Sequence, residues 1–319
     1  MMLCIVTAQA QTVGVAVLTH GDAKTMFYGN SALLQAVEAA TEGDVISLSP
    51  GTFHGFNNFS KSGLTIIGSG MDEGPSQTIL TEFSVRAKNN EEKFVKLALK
   101  NLYIPRSFNC DRDGNYELSF EKCWFSSGML CDVEENNKSI IEINNCYTGD
   151  YNTTYDCNDH FANCSVSAHN SVLKPVANGD VPITRIFKNC VLLCNPAGLM
   201  SIENCIIHAK DVCRLPADVR ATNCKALVYL NDYFGTQTLT NTCYDIDFDA
   251  FVEGSFYELK PELASEWVDE NGEQVGIYGG PEPFSAIPNA PRFTKFNVPT
   301  RTDADGKLPV EIEIAMPAK

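Results

Sequence analysis

The stretch Ser139-Ile-Ile-Glu-Ile-Asn-Asn-Cys-Tyr147 joins a short alternating strand to an Asn-Cys step. The same step follows other apolar segments along the chain: Asn163-Cys164, Asn189-Cys190, Asn204-Cys205 and Asn223-Cys224, with Lys122-Cys123 and Thr242-Cys243 as looser versions. Successive cysteines of this series are separated by as few as 15 residues (190 to 205) and as many as 26 (164 to 190). A constant step with insertions of variable length between its copies is typical of a solenoid.

Each residue of the step has a physical role in such a coil. Asn tolerates the left-handed backbone conformation that a sharp bend between two strands requires. Cys is a small hydrophobic residue that stacks well in a narrow core. We therefore predict a coil of short β-strands, in which Asn forms one corner of each turn and the following Cys points inward.

The composition agrees with an all-β chain that begins with one helix. The chain has 319 residues, of which 44% are hydrophobic, so it is long and apolar enough to bury a substantial core. The segment 31–42 (SALLQAVEAATE) predicts a helix with Ser31 as its N-cap and Leu33, Leu34 and Val37 on one face. We expect this helix to cover the open end of the coil, where strand edges need protection.

Three segments carry a resemblance to a known family. Residues 34–53 (LQAVEAATEGDVISLSPGTF) and 63–71 (GLTIIGSGM) resemble the first turns of the right-handed parallel β-helix proteins of the pectate-lyase-like superfamily. Residues 275–280 (VGIYGG) are similar to the end-of-coil motif of secreted members from Bacteroidetes-type bacteria. The resemblance implies an all-β, right-handed parallel β-helix with an N-terminal capping helix and a C-terminal β appendage. It implies no particular reaction, because this fold hosts lyases, hydrolases, esterases and adhesins.

The predicted organisation has three parts. Residues 1–10, ending in Ala8-Gln9-Ala10, read as the remnant of a signal peptide, with an ordinary β-strand as the alternative. Residues 11–255 form the β-helix with its helical cap. Residues 256–319 lack the repeat and form a C-terminal cap with a β-hairpin appendage. A signal peptide predicts a secreted, periplasmic or cell-surface protein.

The charge of the chain excludes some classes of binding partner. The chain has 24 basic and 40 acidic residues and a net charge of −16, which repels nucleic acid and anionic membranes. No segment reaches the roughly 18 apolar residues that a membrane-spanning helix requires. We expect a monomer whose partner is a polysaccharide or a surface glycan.

The 13 cysteines allow two interpretations. Cysteines of the Asn-Cys series are predicted to be buried thiols, because a stacked row would make all pairs interchangeable. A disulfide stays open among the cysteines outside the series: Cys110, Cys131, Cys157, Cys194 and Cys213. No residue set predicts a metal site. Calcium is possible as a cofactor, but the run Asp111, Asp113 and Asn115 lacks a downstream Glu at the required distance and fits a turn better.

The insertion 150–160 (DYNTTYDCNDH) is the candidate site for chemistry. A His beside a carboxylate can act as a general base, which makes His160 next to Asp159 a candidate. Arg185 on a later turn is a candidate for stabilising developing negative charge. The predicted catalytic residues are therefore His160, Asp159 and Arg185.

Five further residues are predicted to bind substrate in the same outer groove: Tyr151, Tyr155, His169, Lys188 and Arg214. The alternative is a solvated polar loop in which His160 and Tyr155 pack against the sheet. The leading functional hypothesis is that the protein binds or processes a polysaccharide in this groove, as a lyase or a glycoside hydrolase if it is an enzyme. A non-catalytic adhesin or a purely structural coil is the alternative.

Overall fold

The computed structural model describes most of the chain. The described residues are 14–87, 94–134, 139–149, 159–161, 164–173, 175–176, 185–193, 200–208, 219–226, 238–240, 249–288, 292–297, 302, 305–307 and 310–315. They form a nearly all-β protein built on a parallel β-solenoid, which confirms the predicted fold class. No helix among them is both long and apolar enough to cross a membrane.

A hairpin and one helix precede the coil. Strands β1 (Val15–His20) and β2 (Ala23–Tyr28) pair antiparallel, and β1 also pairs antiparallel with the first strand of the coil. Helix α1 (Ala32–Ala39) is shorter than predicted and buries Leu33 and Val37, while Leu34 is exposed. The prediction that Leu34 shares the buried face was therefore wrong.

The coil has three sets of parallel strands. Ten strands pair in the main ladder: β3 (Val45–Leu48), β6 (Leu64–Ile67), β9 (Val95–Ile104), β11 (Tyr116–Phe125), β13 (Ser139–Asn144), β16 (Cys164–His169), β19 (Arg185–Lys188), β21 (Met200–Glu203), β23 (Val219–Thr222) and β25 (Thr238–Thr240).

The second set consists of the strands that follow the corner of each turn, and it includes the C-terminal ends of β9 and β11. Its separate strands are β4 (Gly51–Phe53), β7 (Thr78–Leu80), β14 (Tyr147–Thr148), β17 (Val172–Leu173), β20 (Val191–Leu192), β22 (Ile206–Ile207) and β24 (Lys225–Ala226). A separate sheet closes the coil with β5 (Phe56–Phe59), β8 (Phe83–Val85), β10 (Phe108–Cys110), β12 (Met129–Leu130), β15 (Asp159–His160) and β18 (Pro175–Val176).

A residue with positive φ forms the corner between the first two sets of strands. The corner residues, with φ between 47° and 55°, are Asn101, Lys122, Asn145, Asn170, Asn189, Asn204 and Asn223. The residue after each corner lies in the core, and at five corners it is a fully buried cysteine: Cys123, Cys146, Cys190, Cys205 and Cys224. The predicted roles of Asn and Cys are thus confirmed at these positions.

The step at Asn163-Cys164 does not form a corner. Cys164 opens β16 opposite Ser139, and the corner of that turn is Asn170-Ser171. The alternating segment 164–169 matches β13 in length, so the bend falls after His169, where Ser171 takes the place of Cys. Asn163 and the step at Thr242-Cys243 lie outside the described residues.

Residues 249–288, which we call the flanking segment, pack along the side of the coil and contain α2 (Pro261–Glu266). Their apolar side chains cover the outer face of the strands that follow the corners. This second core contains Trp124, Tyr147, Val172, Val191 and Ile206 from the coil and Leu259, Trp267, Val275, Ile277 and Phe284 from the flanking segment. Farther on, β26 (Arg292–Asn297) and β27 (Glu311–Ala315) pair antiparallel, which confirms the predicted hairpin strands. The handedness, the capping roles and the domain boundaries stay predictions.

Candidate functional site

The residue before each corner lies on the outer face of the coil and forms part of a row. Asn144, His169, Lys188 and Glu203 occupy one register across four neighbouring parallel strands. Strands in a sheet lie about 4.8 Å apart, so these side chains are immediate neighbours. The Asn-Cys step therefore places a polar row beside the corners.

This row forms the floor of a cleft that we call the flank cleft, with a volume of about 620 Å³. The coil contributes strand residues Glu142, Asn144, Ser167, His169, Lys188 and Glu203, and corner residues Asn170, Asn189 and Asn204. The flanking segment contributes the opposite wall, which contains Asp269, Asn271, Glu273, Pro281 and Glu282. Among the described lining residues, five carry carboxylates and one carries an ammonium group, so the cleft is acidic.

His169 lies half-buried in this cleft. Its Nε2 is 3.2 Å from the hydroxyl oxygen of Ser167 on the same strand. Burial lowers the pKa of His169, and the neighbouring positive charge of Lys188 lowers it further, whereas the carboxylates of Glu142, Glu203 and Glu282 act in the opposite direction. The lowered pKa favours the neutral imidazole at neutral pH, and a neutral imidazole both donates and accepts hydrogen bonds.

Lys188 is held by an ion pair on the adjacent strand. Its Nζ lies 2.8 Å from Oε2 of Glu203, and each side chain is about 45% exposed. A pair this exposed adds little to stability. It does fix the position of the one ammonium group among the described lining residues.

The corner residues hold the opposite wall of the cleft in place. The Asn170 amide donates to the carbonyl oxygens of Ile277 (2.9 Å) and Gly279 (2.7 Å). Asn145 Oδ1 accepts a hydrogen bond of 2.9 Å from the Ser285 backbone. Farther along the coil, the Gly276 backbone donates to the carbonyl oxygen of the corner residue Asn204 over 2.8 Å. The flanking segment is thus attached at successive turns.

Asp269 lies on that wall as an ionised hydrogen-bond acceptor. Its Oδ1 accepts from the backbones of Asn271 (2.8 Å) and Glu273 (2.9 Å), and Oδ2 accepts from the Asn204 amide at 3.3 Å. Burial alone would raise the pKa of Asp269, but these donors outweigh burial and lower it. The carboxylate therefore keeps its charge and shapes the turn at residues 269–273.

Two of the predicted catalytic residues point into the coil. Asp159 is fully buried, where it accepts hydrogen bonds from the Met129 backbone (2.9 Å) and the Thr148 hydroxyl (2.7 Å). Arg185 is 6% exposed and donates to the carbonyl oxygen of Phe161 at 3.1 Å. These contacts give both side chains structural roles inside the coil and keep them away from the outer face.

The predicted site is therefore only partly assembled. His169 and Lys188 come together in the flank cleft. The backbone of His160 pairs with Leu130 and Val176 in the closing sheet, which is a different sheet from that of His169. Tyr151, Tyr155 and Arg214 lie outside the described residues.

Sequence reasoning missed Glu142, Asn144, Glu203 and the whole wall from the flanking segment. A local signal exists for the first group, because Asn144 and Glu203 directly precede a corner Asn, as His169 and Lys188 do. For the opposite wall, the only local signal is the glycine-rich stretch 275–280, which approaches the corners closely.

Among the described residues, no three His, Cys, Asp or Glu side chains lie close enough together to hold a metal ion. Asp111, from the run considered for calcium, forms an ion pair with Arg86 at 3.0 Å. Comparison of the chain with models of known families, with curated proteins and with solved structures found no match. The solenoid fold therefore rests on the structure, and membership of the pectate-lyase-like superfamily stays a prediction.

Proposed function

We propose that the protein binds a complex polysaccharide of neutral or amino sugars in the flank cleft. The observation that carries the proposal is the lining of this cleft, in which carboxylate, amide, hydroxyl and imidazole groups face one open space. Sugar hydroxyls donate and accept hydrogen bonds, and such side chains offer both kinds of partner.

The charge of the cleft selects among polysaccharides. Glu142, Asp269, Glu273 and Glu282 supply negative charge, and the charge of Glu203 is offset by Lys188. The whole chain, including these groups, carries a net charge of −16. A polymer of uronic acids would be repelled by this field, whereas an uncharged or amino sugar would not. We therefore favour neutral and amino sugars over pectin-like polymers.

The side chains on the floor of the cleft can form hydrogen bonds to a ligand without a large loss of conformational entropy. Asn144 and His169 extend from adjacent strands at the same register, and Ser167 lies beside His169. Groups that extend from a sheet are held in position before a ligand arrives, so less entropy is lost on binding. This arrangement supports recognition by several hydrogen bonds at once.

The proposal includes an exported location, because a polysaccharide ligand agrees with the signal-peptide pattern of the N-terminus. A protein that holds a glycan at a surface needs no catalytic group. The binding function therefore stands without the catalytic roles predicted for His160, Asp159 and Arg185.

The test measures retention of the purified protein by neutral, amino-sugar and uronate polysaccharides in affinity electrophoresis. Glu142→Gln is the informative variant, and Glu117→Gln is its matched control. Glu117 lies on the adjacent strand and the same outer face, outside the flank cleft, in an ion pair with Lys96. Both variants remove one negative charge.

We expect the wild-type protein to bind a neutral or amino-sugar polymer. Glu142→Gln should weaken that binding about fivefold, the equivalent of one hydrogen bond, and Glu117→Gln should leave it unchanged. Retention by uronate polymers alone, retention by none of the three classes, or equal loss in the two variants would contradict the proposal.

A catalytic function is the second candidate, and His169 is the observation that favours it. Its lowered pKa and its position in the cleft suit a general base. If the polymer is cleaved, new reducing ends should appear with the wild-type protein and be lost in His169→Ala. They should persist in His208→Phe, because His208 is not among the residues that line the cleft. Binding without new reducing ends would exclude this candidate.

A further inference from the structure

Cys110 and Cys131 are neighbours on the closing sheet of the coil. In the pairing of β10 with β12, Phe108 lies opposite Met129 and Asn109 opposite Leu130, so Cys110 and Cys131 take the next position on each chain. Their Sγ atoms are 3.2 Å apart. Neighbouring strands lie about 4.8 Å apart, within the range of about 4.4 to 6.8 Å between Cα atoms that a disulfide spans.

Solvent access distinguishes this pair from the cysteines behind the corners. Among the seven cysteines whose side chains the structure describes, Cys110 is partly exposed and the other six are buried. Cys205, for example, is fully buried between Cys190 and Cys224. Of these seven cysteines, Cys110 is therefore the one that a reagent in solution reaches first.

We propose that Cys110 and Cys131 form a thiol–disulfide exchange site that accepts a small external disulfide of the glutathione class. The Cys110 thiolate attacks one sulfur of the external disulfide, which gives a mixed disulfide and releases one small thiolate. Cys131, whose pKa is raised by burial, then gives its proton to the small thiolate released in the first step, attacks Sγ of Cys110 and releases the second small thiol. Two protein thiols are oxidised to one disulfide, and one external disulfide is reduced to two thiols.

The new bond would join two neighbouring turns. It closes a loop that contains residues 111–130, and this loop includes all of β11. A cross-link of this size restricts the unfolded chain more than the folded one, because the cysteines are already adjacent in the coil. The site is independent of the flank cleft, since neither cysteine lines it.

The test incubates the folded, reduced protein with oxidised glutathione and maps its peptides by mass spectrometry without reduction. We expect a peptide pair linked through Cys110 and Cys131. We also expect the midpoint of thermal unfolding to rise by about 5 °C, and the rise should reverse on reduction. Cys131→Ser should stop at the mixed disulfide on Cys110, and Cys110→Ser should form neither product.

Cys190→Ser is the control, because it removes a buried cysteine away from the pair, and it should form the same linked peptide as the wild-type protein. The peptides of the wild-type protein are mapped as well, so the linked pair can be identified even if a variant fails to fold. Cys110 left as a thiol, or linked to another cysteine, would overturn the proposal.

Discussion

The side-chain amide of Asn170 donates a hydrogen bond of 2.7 Å to the carbonyl oxygen of Gly279, a residue 109 positions away in the sequence. Asn170 is also a corner of the coil, with a φ of 47°. One residue thus bends the backbone and anchors the flanking segment. The anchor is almost fully buried, since Asn170 is 4% exposed.

Neighbouring corners repeat this arrangement with different atoms. Lys122 Nζ donates to the carbonyl oxygen of Ile287 at 2.7 Å, and Asn145 accepts from Ser285. Asn204 reaches Asp269 on the wall of the flank cleft. The width of the cleft therefore depends on the same residues that bend the coil, so changes at the corners affect both stability and the proposed binding.

Two substitutions at Asn170 separate its two roles. Asn170→Gly removes the amide but tolerates positive φ, and we expect a loss of about 2 kcal/mol for two hydrogen bonds. Asn170→Ala loses the same bonds and is also strained, which should cost about 1 to 2 kcal/mol more. Urea denaturation of both variants measures the difference. Equal losses would show that backbone strain at this corner is negligible.

The cysteines behind the corners should tolerate serine better than valine. At Asn170, one of the two described corners that no cysteine follows, Ser171 donates to the carbonyl oxygen of His169 at 2.7 Å. Cys205 has the corresponding partner, the carbonyl oxygen of Glu203, at 3.2 Å. We expect Cys205→Ser to cost about 1 kcal/mol and Cys205→Val to cost about 1 to 3 kcal/mol through overpacking. Denaturation midpoints compare them, and a larger loss for serine would contradict the expectation.

The corners and the inward cysteines were predictable because their requirements are local. A residue with positive φ favours Asn, and the position after it favours a small buried side chain. Asn163 misled the prediction because Asn170-Ser171 satisfies the same requirements without cysteine. The prediction for Arg185 was wrong because it did not consider that side chains alternate between the two faces of a strand. Lys188 faces outward, so Arg185, three positions earlier, faces inward.

The opposite wall of the flank cleft could not be predicted in the same way. Asp269 and Glu282 reach the cleft only because a separate segment packs along the side of the coil. Contacts such as that between Asn170 and Gly279 join distant parts of the chain and leave no periodic pattern in the sequence. Half of the site therefore depends on tertiary packing that a single sequence does not display.

The stability of the protein should fall in mild acid through His208. Burial lowers the pKa of His208, whose ring packs near Phe251 and Tyr257. The unfolded chain then binds a proton more readily than the folded one. The stabilisation is present above the ordinary His pKa of 6.5 and decreases as the pH falls below it.

His208→Phe keeps an aromatic ring at this position and cannot be protonated. It should therefore reduce the loss of stability between about pH 7.5 and about pH 5.5. The reduction is partial, because the pKa of His169 is lowered as well. Urea denaturation at the two pH values measures the effect. An unchanged pH dependence would assign the acid sensitivity to other groups.

Phe108 is the central ring of the aromatic core. It is fully buried, and its ring centroid lies 4.9 Å from that of Phe120, 5.9 Å from Phe83 and 6.0 Å from Phe125. Phe108→Ala should cost about 3 to 5 kcal/mol because it leaves a cavity, and Phe108→Leu should cost clearly less. Denaturation curves give both values. A loss below about 1 kcal/mol for alanine would mean that the neighbouring rings collapse into the space.

Gly280 and Gly272 form a matched pair that tests how closely the flanking segment approaches the corners. Their φ values are 75° and 80°, so alanine is strained at both positions by about the same amount, roughly 1 to 2 kcal/mol. At Gly272 an added Cβ meets no atom within 4 Å, whereas at Gly280 it would lie 2.1 Å from Nδ2 of Asn189. Gly280→Ala should therefore cost about 1 to 3 kcal/mol more than Gly272→Ala.

The same comparison extends to ligand binding. Asn189 and the neighbour of Gly280, Pro281, both line the flank cleft, so displacement of the segment at Gly280 should also weaken polysaccharide retention. Gly254→Ala is the control for binding, because Gly254 has a φ of 74° in the same segment, an added Cβ meets no atom within 4 Å, and neither Glu253 nor Ser255 lines the cleft. Equal stability of Gly280→Ala and Gly272→Ala, together with equal retention of Gly280→Ala and Gly254→Ala, would show that the contact between Gly280 and Asn189 does not position the wall of the cleft.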